Sequence, residues 1–175
     1  MFKLRTILML AVTFGLGGLW SLKAIEQRFG PAPDMVDALG ATNYSEIEKG
    51  LFMGGLVGKA PPGVEAVLNL CDYADRYRLK HEEWMPIPDG EPAPSLDWLR
   101  DAVKFVDENR KKDRPTYVHC YAGISRSGMV VMAYLMQKNN WTRDETLAFV
   151  RKSRPIADPN PAFMERLLEW EKRRR

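Results

Sequence analysis

The sequence predicts an α/β domain: a central, mostly parallel sheet flanked by helices. Three observations carry that reading. Short apolar runs of strand length alternate with segments of helical period. Residues 127–137 are apolar on nearly every side, as a helix buried at the centre of a core would be. A loop carrying a cysteine, a glycine and an arginine joins the end of one apolar run directly to that buried segment.

Taken in order, 50–55 (Gly-Leu-Phe-Met-Gly-Gly) reads as a short strand and turn, and 64–70 as a stronger strand. Residues 84–88 must be extended, because residues before proline avoid the helical region. Ser95 can cap a helix whose Leu96, Leu99, Val103 and Val106 share one face. Residues 115–119 form the next strand and feed the cysteine loop. Thr142 to Glu145 is a capping-box pattern before Leu147, Phe149 and Val150. Asn160 and Pro161 form an N-cap and N1 pair, opening a last helix whose Phe163, Leu167 and Trp170 line its buried side. The C-terminal Lys172, Arg173, Arg174 and Arg175 suit the negative end of that helix dipole. A contact with acidic lipid is the alternative.

Bulk properties narrow the function. The chain has 175 residues, 45% hydrophobic and 28% charged, enough for one domain with a full core. A net charge of +3 does not imply a nucleic-acid partner, and a monomer is expected. With Cys71, Cys120, His81 and His119 as the whole complement of soft ligands, neither a disulfide scaffold nor a metal site has the spacing it needs. No metal or cofactor is expected.

The chemistry concentrates in 119–128, His-Cys-Tyr-Ala-Gly-Ile-Ser-Arg-Ser-Gly. A loop leaving a strand and entering a helix aims several amides at one point, and the helix N-terminus adds partial positive charge. The donors expected here are the amides of Tyr121, Ala122, Gly123, Ile124, Ser125 and Arg126. Gly123 lets the backbone turn, and Arg126 offers a planar fork for two phosphate oxygens. Those donors also favour the thiolate form of Cys120, the form that attacks phosphorus. His119 is expected to hold the loop from behind, and Ser127 to stabilise the departing thiolate.

A leaving alkoxide or phenoxide needs a proton. Asp89, in the proline-framed segment 86–92, is the best general acid, and afterwards the base for water. Asp72, Asp75, Glu91 and Asp97 compete. Asp72 and Asp75 read as solvated turn residues, and Asp97 as a first-turn helix residue.

Residues 1–28 form a hydrophobic N-terminal segment. Residues 6–22 carry no charge, and as a helix they would span about 25 Å, near the lower limit for a bilayer. Lys3 and Arg5 precede them, Lys23 and Arg28 follow, and Trp20 lies where an interfacial aromatic would. A single-pass anchor is expected, with a cleaved signal peptide and export, or a buried helix, as the alternatives. The basic flanks nearly balance, so orientation is argued from the thiolate, which survives best in the reducing cytoplasm. Residues 29–40 read as a linker and 41–175 as the catalytic domain.

The loop, the Pro-Asp segment and the tail 154–163 together resemble the dual-specificity phosphatases of the protein tyrosine phosphatase superfamily, over roughly 44–171. The resemblance implies a metal-free cysteinyl-phosphate mechanism with Cys120 as nucleophile, Arg126 as phosphate binder and Asp89 as general acid. It implies a phosphorylated protein as substrate. Lipid phosphatases of the same superfamily also resemble this order of segments, but they place Lys or Arg within the loop. Here Tyr121, Ala122, Ile124 and Ser125 are uncharged. In those relatives a cysteine matching Cys71 pairs with the nucleophile, which makes Cys71 a candidate redox partner; a buried structural thiol is the alternative. Three functions stay open: a protein phosphatase, a phospholipid phosphatase at the membrane, and an inactive phosphate-binding module.

Overall fold

The structure is a computed structural model that describes residues 42–174. In chain order these form β1 (Tyr44–Glu48), β2 (Leu51–Gly54), β3 (Ala66–Asn69), β4 (His81–Trp84), α1 (Leu96–Arg110), β5 (Thr116–His119), α2 (Arg126–Asn139), α3 (Arg143–Ser153) and α4 (Pro161–Arg174). The strands make one five-stranded sheet in the order β1-β2-β5-β3-β4. β5 pairs parallel with β2 and β3, and β3 pairs parallel with β4. β1 is antiparallel to β2, so the sheet is mixed, with its parallel part at the centre.

That centre explains the composition of the strands. β3 and β5 are buried at every position, as parallel strands covered on both faces must be. Side chains alternate along them. Val67 and Tyr117 face one apolar cluster, while Leu68 and Val118 face the main core with Met53. The main core is filled by α2, whose residues from Arg126 to Met136 are all buried. It packs against β2, β5, α1, α3 and α4. The Cys120 loop therefore leaves the middle strand of the sheet and enters the most buried helix.

The expected caps form. Ser95 Oγ accepts from Trp98 N at 3.1 Å, Thr142 and Glu145 complete a capping box, and Asn160 Oδ1 accepts from Phe163 N at 3.0 Å. Two strands differ from expectation. β1 carries only one buried residue, Ile47, and gives no apolar run to read. β4 spans His81–Trp84, ahead of the extended segment expected at 84–88, and its His-Glu-Glu-Trp sequence is that of a charged, exposed edge. The anchor expected at 6–22 and the linker at 29–40 lie outside the described residues. Among the described residues no helix is long and apolar enough to cross a membrane. None of their His, Cys, Asp and Glu side chains form a group of three or more able to hold a metal ion.

Candidate active site

The loop after β5 is held by its carbonyls. Tyr121 O accepts from Leu56 N at 2.9 Å and Ile124 O from Asp158 N at 3.1 Å. Between them, Ala122 O accepts from Arg154 Nη2 at 3.2 Å and Gly123 O from Arg154 Nε at 2.6 Å. Four consecutive carbonyls thus point outward. In a planar trans peptide the N–H opposes the C=O, so the amides of Ala122, Gly123, Ile124 and Ser125 point inward. Gly123 N donates to Cys120 Sγ at 3.3 Å, which puts the sulfur at the focus. Gly123 has φ +70°, and a Cβ there would collide with the backbone of Gly54 and Gly55 and with Arg154.

The two strand ends set the floor. Cys120 N donates to Gly54 O at 3.2 Å, and Ser127 Oγ lies 3.4 Å from Cys120 Sγ and 3.3 Å from Gly54 O. The Ser127 proton can turn to either acceptor, so it is available to a thiolate. Arg126 is buried. Its Nη1 donates to Ile87 O at 3.2 Å and Leu70 O at 3.4 Å. These bonds fix the guanidinium plane. Its buried Nε makes no hydrogen bond, leaving that edge to receive an oxyanion.

Asp89 meets this loop from the segment after β4. Its Oδ1 accepts from Ser125 Oγ at 2.6 Å and from Asn160 Nδ2 at 2.9 Å. Its Oδ2 lies 3.8 Å from Arg126 Nε. Two donors thus anchor one carboxyl oxygen, and the other faces the arginine. Of the competing carboxylates, Asp72, Glu91 and Asp97 are exposed, and Asp97 pairs with Arg100 in the first turn of α1.

Asp75 corrects an expectation. It is not a solvated turn residue but 8% exposed, with Oδ2 3.1 Å from His119 Nε2. His119, fully buried, stacks on the Tyr117 ring at 5.0 Å, and its Nδ1 lies 3.8 Å from Cys71 Sγ. The His119 imidazole, expected to hold the loop from behind, instead reaches back to Asp75 and Cys71. Burial first, then the neighbouring Cys120, push the Cys71 thiol well above its ordinary value. Neither cysteine is in a disulfide.

The sequence-predicted residues Cys120, Asp89, Arg126, Ser127, Gly123 and Ser125 come together in one site. Three residues with site contacts went unassigned in the sequence: Arg154, Asn160 and Asp75. Arg154 and Asn160 lay in the tail motif, Arg154 with no role of its own and Asn160 only as a cap. Asp75 lay in a run of polar turn residues with nothing to mark it as buried.

A family model described as "Dual specificity phosphatase, catalytic domain" matches residues 58–173, and the chain belongs to that family. Dual specificity protein phosphatase 1 of Homo sapiens is 34% identical over 111 residues, which cover 62% of this chain and 30% of that protein. Dual specificity protein phosphatase 2 of Mus musculus is 33% identical over 135 residues, 76% of this chain and 40% of that protein. The chain thus spans well under half the length of these curated relatives. Among solved structures, PTPMT1 in complex with PI(5)P has a TM-score of 0.67 at 25% identity, covering 75% of this chain and 96% of that one. Tk-PTP in its active form has a TM-score of 0.65 at 28% identity, covering 75% and 98%.

Proposed function

We propose that the protein hydrolyses phosphate monoesters on phosphotyrosine, and on phosphoserine and phosphothreonine, through a cysteinyl-phosphate intermediate. The observation that carries this reading is Cys120 Sγ at the focus of a loop whose four carbonyls are bonded outward, with the Arg126 edge and Asp89 Oδ2 beside it. The Cys120 thiolate attacks phosphorus, and the phosphorus–oxygen bond to the leaving group breaks. Asp89 gives its proton to the departing oxygen. The equatorial oxygens are held by inward amides and Arg126. Asp89, now a carboxylate, takes a proton from water as that water attacks phosphorus. The sulfur–phosphorus bond breaks, Ser127 donates to the departing thiolate, and phosphate leaves.

Hydrolysis of an aryl phosphate, with rapid acid quench and mass spectrometry, tests this. Expected are turnover and a phosphorylated Cys120 peptide, both absent in Cys120→Ser. Turnover that survives in Cys120→Ser overturns the mechanism, and oxyanion binding without turnover identifies a silent phosphate-binding module.

A second reading, a phospholipid phosphomonoester as substrate, is supported by the apolar stretch 6–22 and by the structural similarity to PTPMT1 in complex with PI(5)P. The uncharged loop side chains favour the plain phosphomonoester. Phosphopeptides against phosphoinositide vesicles separate the two. Residues 6–22 are proposed as a membrane tether with the domain in the cytoplasm, tested by membrane fractionation and protease protection of the full chain. Cys71 is retained as a proposed redox partner. Mild peroxide should yield a Cys71–Cys120 peptide pair, and its absence removes the proposal.

A further inference from the structure

The Asp75–His119 pair is buried behind the nucleophile and has no part in the reaction just described. We infer that Asp75 is a positioning residue of this site: it fixes the His119 ring in one tautomer and ties the segment 71–80 to the strand that carries Cys120.

The protons can be placed one by one. With Asp75 Oδ2 as the acceptor, His119 Nε2 at 3.1 Å is the donor and carries the proton. Nδ1 is then the lone-pair nitrogen, and it faces Cys71 Sγ at 3.8 Å. Cys71 is held as a thiol by its burial, so its S–H points to Nδ1. The chain therefore runs Cys71 S–H to Nδ1, and Nε2–H to Asp75, with each hydrogen given one acceptor. The opposite tautomer would set the Nε2 lone pair against the Asp75 carboxylate. Stacking on Tyr117, with 19° between the planes, stops the ring from turning out of this arrangement.

The placement matters because of what the pair connects. His119 is the last residue of β5, and Cys120 follows it directly. His119 O accepts from Leu70 N at 2.9 Å, which fixes the backbone but leaves the ring to Asp75. Asp75 itself lies on the segment that begins at Cys71. That segment is bound at its start by Asn69 Nδ2 to Tyr73 O at 2.8 Å and by Trp84 Nε1 to Cys71 O at 2.8 Å. A buried carboxylate with one oxygen unpaired, Oδ1, is costly unless its other contact matters. Here the other contact is the ring next to the nucleophile. In-line attack needs Sγ held to a fraction of an ångström, so loosening this pair should be felt in kcat more than in KM.

The test has a spectroscopic arm and a kinetic arm. Both histidines of the full chain are labelled with nitrogen-15, and the tautomer of each is read by long-range nitrogen–proton correlation. His119 is expected as the Nε2–H tautomer in the wild type, and in Asp75→Asn, whose amide oxygen still accepts. In Asp75→Ala it is expected to lose that fixed state. In the kinetic arm, which rests on the phosphatase reading, Asp75→Ala should lower kcat for an aryl phosphate about 10–100-fold, with KM within about twofold. Asp75→Asn should recover most of that loss. An Nδ1–H tautomer in the wild type overturns the inference, as does wild-type kcat in a folded Asp75→Ala protein. If the wild type shows no hydrolysis at all, the functional reading fails, while the tautomer measurement still decides the role of Asp75.

Discussion

Asn160 Nδ2 lies 2.9 Å from Asp89 Oδ1, so the residue that caps α4 also holds the carboxylate proposed as general acid. The same side chain reaches Ser125 Oγ at 3.3 Å, its backbone N–H donates to that oxygen at 3.1 Å, and Ser125 in turn donates to Asp89. The acid segment, the phosphate loop and the start of α4 therefore meet at one carboxyl oxygen. On the proposed mechanism this leaves Oδ2, 3.8 Å from Arg126 Nε, to carry the proton to the leaving group.

The two roles of Asn160 can be separated by substitution. Asn160→Ala should cost about 1 kcal/mol of stability through the lost cap. It should also lower kcat about tenfold on alkyl phosphates, where proton donation counts, and much less on an aryl phosphate with an acidic leaving group. Asn160→Ser keeps a capping oxygen but is too short to hold Asp89, so the stability should return and kcat should not. Asp89→Asn should show the same leaving-group dependence with a larger loss. Urea titration and kcat across a leaving-group series check both.

Arg154 supports the loop from below. It is 4% exposed and donates to Gly123 O, Ala122 O and Asn43 Oδ1. Burial pushes its guanidinium down from its ordinary value, and the neighbouring Tyr117 and Cys120 oppose that shift. With these bonds removed, the carbonyls they hold outward are free to turn, and the inward amides turn with them. Each hydrogen bond to a charged group contributes about 1.5–3 kcal/mol. Arg154→Met should therefore lower stability by about 3 kcal/mol and weaken inhibition by a tetrahedral oxyanion about 100-fold. Asn43→Ala, which removes a partner of Arg154 and one long 3.4 Å bond to Ala122 O but keeps both Arg154 loop contacts, should do much less. Thermal unfolding and vanadate inhibition of the two variants make the comparison.

Much of this site was legible because its chemistry is local in the chain. Cys120, Gly123, Arg126 and Ser127 act through a single strand–loop–helix passage, and the apolar run after Ser127 announces the buried α2. Asp89 was legible because two prolines frame it. Asp75, Arg154 and Asn160 were not, because each acts across a long separation. Asp75 meets a residue 44 positions away, and Arg154 one 31 positions away. A polar turn residue and a buried one have the same letters until the fold brings their partners. β4 went unread for a related reason: an edge strand is paired on one side only, so its sequence can be as polar as a loop.

Gly123 and Gly63 share a positive φ but not a surrounding, and that difference predicts opposite outcomes. At Gly63, φ is +77° and a Cβ would meet nothing within 4 Å. Gly63→Ala should cost only the left-handed penalty, about 1–2 kcal/mol, and leave kcat unchanged. At Gly123 the same penalty is joined by collision with Gly54, Gly55 and Arg154. Gly123→Ala should lower kcat/KM by about 100-fold or more, because the loop must shift to admit the methyl group. Equal effects in the two variants would place the loop's geometry elsewhere than in this contact.

The alkaline limit of stability follows from groups the fold keeps protonated. Burial raises Cys71, Tyr77 and Tyr117, and burial followed by the Glu48 charge pushes Tyr134 up to about 12 from 10.0. In each case the native state holds a proton that the unfolded chain releases. Stability from these groups is therefore fully present below their unfolded values and is lost as pH rises toward the folded ones. The loss begins with Cys71, above its ordinary value of 9.0, and continues with the tyrosines above 10.0. Each group contributes a slope of at most about 1.4 kcal/mol per pH unit over its window. Urea midpoints should be flat in pH just below 9 and fall steadily above it. Cys71→Ala should flatten the interval just above pH 9, whatever its effect on the midpoint there. Tyr134→Phe should leave that interval alone and make the fall between pH 10 and about 12 shallower by one group's share. A wild-type midpoint that holds constant through pH 11 would mean the unfolded chain protects these protons as well as the fold does.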